Sequence, residues 1–159
     1  MKINIVSVGK IKEKYFTMAI EEYTKRLSKY VKVNEIVVLD EPIPFNASEK
    51  EELIVKNKEG EKLLKAIPLN SFKVVLDLKG EEITSVELAK KIDQIFAYNN
   101  SEISFIIGGS LGLSNDVLKS ADYHLCFSKM TFPHQLMKVV LLEQIYRAFK
   151  INNNETYHK

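Results

Sequence analysis

The sequence predicts an α/β fold with a largely parallel sheet flanked by helices. Three observations support this prediction. Short apolar runs recur along the chain, segments with the helical period of 3.6 lie between them, and turn or capping residues mark most of the boundaries. Strand and helix alternate throughout, which is typical of a single α/β domain. We therefore expect one domain over residues 1–159.

The first half of the chain is predicted to form two strands and two helices. The apolar run INIVSV (residues 3–8) ends at Gly9, and apolar residues at helical spacing follow over residues 13–30. VKVNEIVVL (31–39) predicts a second strand. The prolines of EPIPFNA (41–47) indicate a mobile loop. Ser48 and Glu51 then form a capping box, which predicts a polar helix to about residue 67.

The second half continues the alternation. FKVVLDL (72–78) predicts a third strand and KGEE (79–82) a turn, after which Thr84 and Glu87 cap a helix to about residue 98. EISFII (102–107) is a fourth predicted strand that runs into GGSLGLS. A short helix (114–120) and a fifth strand (123–127) follow. Pro133 suits the first position of a final helix through residue 150.

Composition indicates a soluble cytoplasmic protein. The chain is 45% hydrophobic and 28% charged, as globular domains usually are. Cys126 is the only cysteine, so neither an internal disulfide nor a cysteine-pair metal site can form, and a reducing compartment fits best. The first apolar run is too short for a signal peptide, and no apolar run reaches the length of a membrane span.

The distribution of charge is uneven. The net charge is only +2, yet residues 10–32 hold seven Lys or Arg against three acids. In residues 35–52, by contrast, most of the charged residues are Asp or Glu. Solvated helix faces explain this pattern as well as a nucleic-acid partner does.

The final helix is apolar on more than one face. HQLMKVVLLEQIYRAFK places large apolar side chains on more than the single stripe that a surface helix shows. The pattern predicts a homodimer with this helix at the interface, and a fully internal helix is the alternative.

Three strand ends are candidates for a ligand pocket. Gly108, Gly109 and Gly112 follow the fourth strand, but their spacing matches neither the dinucleotide nor the P-loop fingerprint. These glycines indicate either close approach of a ligand or a tight turn. CFSKMTFPHQLM follows the fifth strand, and residues 76–79 end the third. The carboxyl ends of parallel strands share one edge, so we expect a pocket for a flat heterocycle there.

The remaining polar residues give weaker signals. Asp77, Asp116 and Asp122 lack metal-ligand spacing, so we expect no metal. His124 is interpreted as structural and Cys126 as core, while His134 either caps the last helix or contacts a ligand. The terminal Tyr157, His158 and Lys159 suit base stacking and phosphate contact, although such a tail usually frays.

Several long segments resemble one known family. FIIGGSLGLS, FSKMTFPHQLMKVVLLEQIYRAFKI and the terminal YHK, together with INIVSVGKIKEKY and EEYTKRL near the start, are similar to the ribosomal RNA large subunit methyltransferase H family. The similarity covers essentially the whole chain. It departs from the family pattern at NNNET, just before YHK.

This resemblance implies a SPOUT-type fold with a C-terminal trefoil knot, a homodimer, and S-adenosylmethionine as methyl donor. The family's cofactor positions fall on Leu76, Gly108, Phe127, Ser128, Lys129, Met130, Thr131 and Phe132. They coincide with the three strand ends.

The implied reaction is methylation of N3 of a pseudouridine in 23S rRNA of the assembled ribosome. His158 is then the candidate base, Tyr157 positions the nucleobase, and Arg147 or Lys159 holds phosphate. An RNA- or ribosome-binding module that keeps the pocket but transfers no methyl group is the alternative.

Overall fold

The computed structural model describes residues 1–98 and 100–159. Over these residues the chain alternates five strands with five helices. In chain order they are β1 (Lys2–Val8), α1 (Lys14–Leu27), β2 (Lys32–Val38), α2 (Glu49–Ala66), β3 (Phe72–Glu82), α3 (Ser85–Ala97), β4 (Glu102–Ile107), α4 (Asn115–Ser120), β5 (Tyr123–Cys126) and α5 (His134–Asn152). The predicted alternation of strand and helix is confirmed.

The strands form one sheet in the order β2-β1-β4-β3-β5, and each adjacent pair is parallel. The predicted parallel α/β fold is therefore confirmed. Successive residues of a strand face opposite sides of the sheet, so β1 contributes to two cores. Ile3 and Ile5 pack with α1, α3 and α5 on one face, whereas Val6 and Val8 pack with α2 and α4 on the other. The trefoil knot stays a prediction.

Both predicted capping boxes are confirmed. Glu51 N donates to Ser48 Oγ over 3.3 Å, and Ser48 N donates to the Glu51 carboxylate over 2.8 Å. Thr84 and Glu87 make the same reciprocal pair at the start of α3. Each box satisfies two backbone N–H groups that a helix start would leave unpaired.

The predicted turn at residues 79–82 is wrong, because β3 continues through Glu82. Leu125 of β5 is paired with Leu76 and again with Glu81, so the intervening residues bulge out of register. Gly80 allows this close approach: a Cβ on Gly80 would lie 2.7 Å from the carbonyl oxygen of His124. The strand resumes because β5 offers it further backbone partners.

The final helix begins one residue later than predicted. Pro133 has an extended ψ of 137°, which makes it the N-cap of α5 rather than its first helical residue. Leu141, Leu142 and Ile145 are buried in the core. Leu136, however, is 37% exposed, so α5 is not fully internal to the protomer.

No helix in the described ranges has the length and apolar character needed to cross a membrane.

Candidate functional site

A cleft of about 690 Å³ opens where β4 and β5 end and where β3 bulges out of register with β5. Its walls are residues 76–78 of β3, residues 107–113 after β4, and residues 125–134 after β5, with Lys129 outside the lining. The start of α5 closes one side through Met137. This volume lies within the range of roughly 300–1,000 Å³ that small-molecule sites occupy.

The glycine loop after β4 is both a tight turn and a wall of the cleft. Gly112 N donates to Gly109 O over 3.0 Å, and Gly112 adopts a φ of +84°, which favours glycine. A Cβ on Gly108 would lie 2.7 Å from the backbone carbon of Gly112. The two readings of these glycines are therefore compatible, since the tight turn is what brings the backbone to the cleft.

Seven of the eight residues to which the resemblance assigns cofactor binding line the cleft. They are Leu76, Gly108, Phe127, Ser128, Met130, Thr131 and Phe132. Lys129 does not: its side chain is 87% exposed, and its Nζ lies 3.9 Å from the Glu82 carboxylate. The fold thus brings together positions that are far apart in sequence. Their role in binding stays a prediction.

The loop between β5 and α5 has backbone groups available for a ligand. Ser128 Oγ accepts from Met130 N over 3.0 Å, and Ser128 O accepts from Cys126 Sγ over 3.2 Å. Among the described residues, no other hydrogen bond is recorded to a backbone group of residues 128–132. Cys126 is buried, as expected of a core residue.

Sequence reasoning missed a polar pair at the cleft, Asp77 with His124. Asp77 lines the cleft, and its Oδ2 lies 2.9 Å from His124 Nδ1. Burial opposes ionisation of Asp77, but hydrogen bonds from Lys79 N and His124 outweigh it, so the pKa of Asp77 is lowered. His124 thus has a hydrogen-bond partner, and its structural role stays an interpretation. Only the adjacency of β3 and β5, which no sequence signal gives, could have revealed the pair.

His134 is a cleft residue, in keeping with one of its two predicted roles. It is the first residue of α5 and is partly buried. Burial, with the nearby Lys138 cation, lowers the pKa of His134 despite the opposing charges of Asp40 and Glu13. A neutral imidazole at the cleft can both donate and accept one hydrogen bond.

Glu59 of α2 is a buried carboxylate behind the glycine loop, and sequence reasoning missed it too. Its Oε1 accepts from Glu41 N over 3.1 Å, and its Oε2 would lie 2.9 Å from a Cβ on Gly109. Burial raises the pKa of Glu59, although the Glu41 hydrogen bond opposes the shift. Glu59 therefore packs against the loop without lining the cleft.

The three predicted catalytic residues lie together around Glu143. The Glu143 carboxylate accepts from Arg147 over 2.7 Å and from the Tyr157 hydroxyl over 3.1 Å. The Arg147 guanidinium also lies 4.7 Å from the centre of the Tyr157 ring. Burial and the hydrogen bond to Glu143 raise the pKa of Tyr157 to about 12, so the phenol stays protonated at neutral pH.

His158 completes this tail cluster, by which we mean Glu143, Arg147, Tyr157 and His158. Its Nδ1 lies 3.3 Å from Arg147 Nη1. A guanidinium can only donate, so His158 Nδ1 is the acceptor in this contact. The tail is thus held by side-chain contacts at its end.

The tail cluster does not lie at the cleft of its own protomer. None of Arg147, Tyr157 and His158 is among the described residues that line it. Met137, which does, is 10 residues before Arg147 on α5, a separation of about 15 Å along the helix axis at 1.5 Å per residue. Within one chain, the predicted catalytic residues therefore lie outside the cleft.

The fold and the site together define an α/β protein with a small-molecule cleft at the carboxyl edge of a parallel sheet. Residues 1–158 match the family described as "Predicted SPOUT methyltransferase". The chain belongs to this SPOUT methyltransferase family.

Full-length relatives share the match. A protein of Clostridium botulinum (strain Alaska E43 / Type E3) named "Ribosomal RNA large subunit methyltransferase H" is 61% identical over 159 residues, all of both chains. A protein of Exiguobacterium sp. (strain ATCC BAA-1283 / AT1b) with the same name is 57% identical, again over all of both chains. The resemblance inferred from the sequence is confirmed.

A solved structure supports the fold alone. The "probable methylase family protein from Haemophilus influenzae Rd KW20" is 17% identical and superposes with a TM-score of 0.54. The superposition covers 99% of this chain and 70% of that one.

Proposed function

We propose that this protein transfers a methyl group from S-adenosylmethionine to N3 of a pseudouridine in 23S rRNA of the assembled ribosome, in the cytoplasm. The observation that supports this most strongly is end-to-end identity of 61% to a relative named as a large-subunit rRNA methyltransferase. The cleft adds independent support, because the implied cofactor positions converge there from three separate segments.

The cleft fits the proposed cofactor in its chemistry. Its apolar walls, including Leu76 and Phe127, suit a flat purine, and the unpaired backbone groups of residues 128–132 suit its polar edge. Gly108 lets the backbone of the glycine loop approach a ligand closely. Bound there, S-adenosylmethionine would supply an electrophilic methyl group. No metal is needed for such a transfer.

The tail cluster supplies the groups that the nucleobase needs. N3 of pseudouridine is a weak acid, and it must lose its proton as it becomes a nucleophile. His158 takes this proton in the proposal, and Tyr157 orients the base by stacking. Arg147 holds an adjacent phosphate, a contact that guanidinium makes in bidentate fashion. When Arg147 turns to phosphate, the Nδ1 lone pair of His158 becomes free to accept the proton.

The site is completed across a homodimer. Arg147 of the tail cluster lies about 15 Å along α5 from Met137, which lines the cleft of the same chain, so a second protomer is the simplest source of these groups. Leu136 on α5 is 37% exposed, so part of this apolar helix is open to a partner subunit. We therefore assign α5 to the dimer interface, with each tail serving the partner's cleft.

The direct experiment is transfer of labelled methyl groups to ribosomes from a strain that lacks this protein. Assembled ribosomes, separate subunits and naked rRNA are compared, and the label is mapped by nuclease digestion and mass spectrometry. We expect label at N3 of one 23S pseudouridine, and only in assembled ribosomes. Cofactor binding with no label in any substrate would instead favour a binding module that transfers nothing.

A further inference from the structure

Three lysines lie on the segment that leaves β1 and begins beside the cleft. Gly9 ends the strand with its N–H donating to Val38 O over 2.9 Å. A Cβ on Gly9 would lie 3.7 Å from Nε2 of His134, which lines the cleft. The segment that follows Gly9 therefore starts beside the cleft, at the carboxyl edge of the sheet.

The segment directs its lysine side chains to solvent, whereas Glu13 between them is partly buried. Lys10, Lys12 and Lys14 are exposed, whereas Ile11 between them is partly buried and packs against the main core. Ile11 thereby anchors the segment, while the lysines stay free to contact a partner. We call these three lysines the cleft-edge lysines.

The cleft-edge lysines are not neutralised by the fold. No ion pair within 4.0 Å joins any of them to a carboxylate in the described part of the chain. The nearby Glu41 is held by Lys62, 2.8 Å away. Asp40 lies beside Gly9, towards His134. A flexible ammonium without an internal partner is suited to an external phosphate.

The opposite end of α1 carries a matched set. Lys25, Lys29 and Lys32 are also exposed, and none of them has an ion-pair partner within 4.0 Å among the described residues. They lie at the amino edge of the sheet, because α1 returns the chain to the start of β2. Lys14 and Lys25 are separated by about 16 Å along the helix axis. Position, not charge, distinguishes the two sets.

We infer that Lys10, Lys12 and Lys14 form the phosphate-contacting edge of the RNA substrate surface, flanking the nucleotide that enters the cleft. This inference rests on the proposed function, because it assigns the substrate backbone to one side of that site. Lysine–phosphate contacts position a nucleic acid without reading its sequence. The segment thus contributes affinity and orientation, and the cleft with the tail contributes chemistry.

The test compares two triple variants that remove the same number of charges. Lys10→Gln/Lys12→Gln/Lys14→Gln removes the cleft-edge lysines, and Lys25→Gln/Lys29→Gln/Lys32→Gln is the matched control. Affinity for assembled ribosomes is measured by co-sedimentation over a range of salt concentrations. Cofactor affinity, Tm and mass by light scattering are recorded alongside.

We expect the cleft-edge variant to bind ribosomes about tenfold more weakly near 0.1 M salt, and to lower the slope of log affinity against log salt by about 2. The control should lose much less affinity and slope than the cleft-edge variant, although Lys29 lies near Glu155 in the tail. Cofactor affinity should be unchanged in both variants.

Equal behaviour of the two variants would overturn the inference, because general charge would then account for binding. A cleft-edge variant that becomes monomeric would also overturn it, since the segment would then be a subunit contact. Wild-type protein that binds ribosomes through these lysines but transfers no methyl group would contradict the proposed function while leaving this surface standing.

Discussion

His158 is the residue whose loss should separate chemistry from binding. It contacts Arg147 in the tail cluster and does not line the cleft among the described residues. His158→Ala should lower kcat for methyl transfer by about 10²- to 10⁴-fold, the usual contribution of a proton-transfer group. Calorimetry should find the affinity for S-adenosylmethionine unchanged.

Thr156→Ala, two residues before His158, is the control, because Thr156 is exposed and outside the tail cluster. Wild-type activity in His158→Ala would remove this side chain from the mechanism.

A substitution at Gly108 tests whether the cleft binds the cofactor. An added methyl group would lie 2.7 Å from the Gly112 backbone, so Gly108→Ala must displace the glycine loop. We expect about 1–3 kcal/mol of lost stability and at least a tenfold weaker affinity for S-adenosylmethionine. Lys119→Ala is the control, because Lys119 is exposed on α4 and is not among the described residues that line the cleft, and it should change neither the stability nor the affinity by a comparable amount. Calorimetry on the folded variants measures the affinity, and unchanged binding in Gly108→Ala would place the cofactor elsewhere.

His134 should make stability depend on pH. Burial lowers the pKa of this imidazole in the folded protein, whereas in the unfolded chain it titrates near its ordinary value of about 6.5. Between these two values the unfolded state binds more protons, so the folded state loses stability as the pH falls from about 6.5 towards the lowered pKa. Urea titrations of His134→Gln at several pH values should show a flatter profile than wild type, and parallel profiles would contradict the account.

At the scale of elements, the buried face of α5 should contribute strongly to the free energy of unfolding. Ile145 is fully buried in the core between the sheet and the neighbouring helices. Ile145→Ala should lower the free energy of unfolding by about 2–5 kcal/mol, through lost burial and the cavity left behind. Val86→Ala on α3 is the control, since Val86 is half exposed and alanine favours a helix. Denaturant titrations that give equal losses for both would be inconsistent with this packing.

Local signals predicted most elements because their causes are local. The capping boxes at Ser48 and Thr84 fix helix starts within four residues of sequence, and the run EISFII matches β4 residue for residue. The error at residues 79–82 has a different origin. KGEE has the composition of a turn, but Gly80 lets the chain approach β5 and resume pairing there. Composition cannot report such a distant partner.

The cleft walls, like most strands and helices, could be predicted from local sequence, but contacts that depend on packing could not. Strand ends and the resemblance indicated the cleft walls, because the carboxyl ends of parallel strands always meet at one edge. The Asp77–His124 pair depends on β5 lying beside β3, and the position of Glu59 depends on how α2 packs against the glycine loop. The knot was implied by the resemblance alone, because general topology rules argue against knots.

At the scale of the whole molecule, the proposed mechanism needs two protomers. Arg147 of the tail cluster lies about 15 Å along α5 from Met137 at the cleft, so the partner's tail is the proposed source of the groups that act there. Light scattering at micromolar concentration should give twice the mass of 18.3 kDa. A monomeric mass would contradict both the proposed α5 interface and the shared site.

The most direct measurement of the shared site is methyl transfer by mixed dimers of two inactive variants. His158→Ala keeps its cleft but loses its base, while Gly108→Ala keeps its tail but loses its cleft. If each tail serves the partner's cleft, each mixed dimer contains one complete site, and random exchange should restore about one quarter of wild-type activity. If the tail serves its own cleft, no dimer contains a complete site, and an inactive mixture would contradict the central claim.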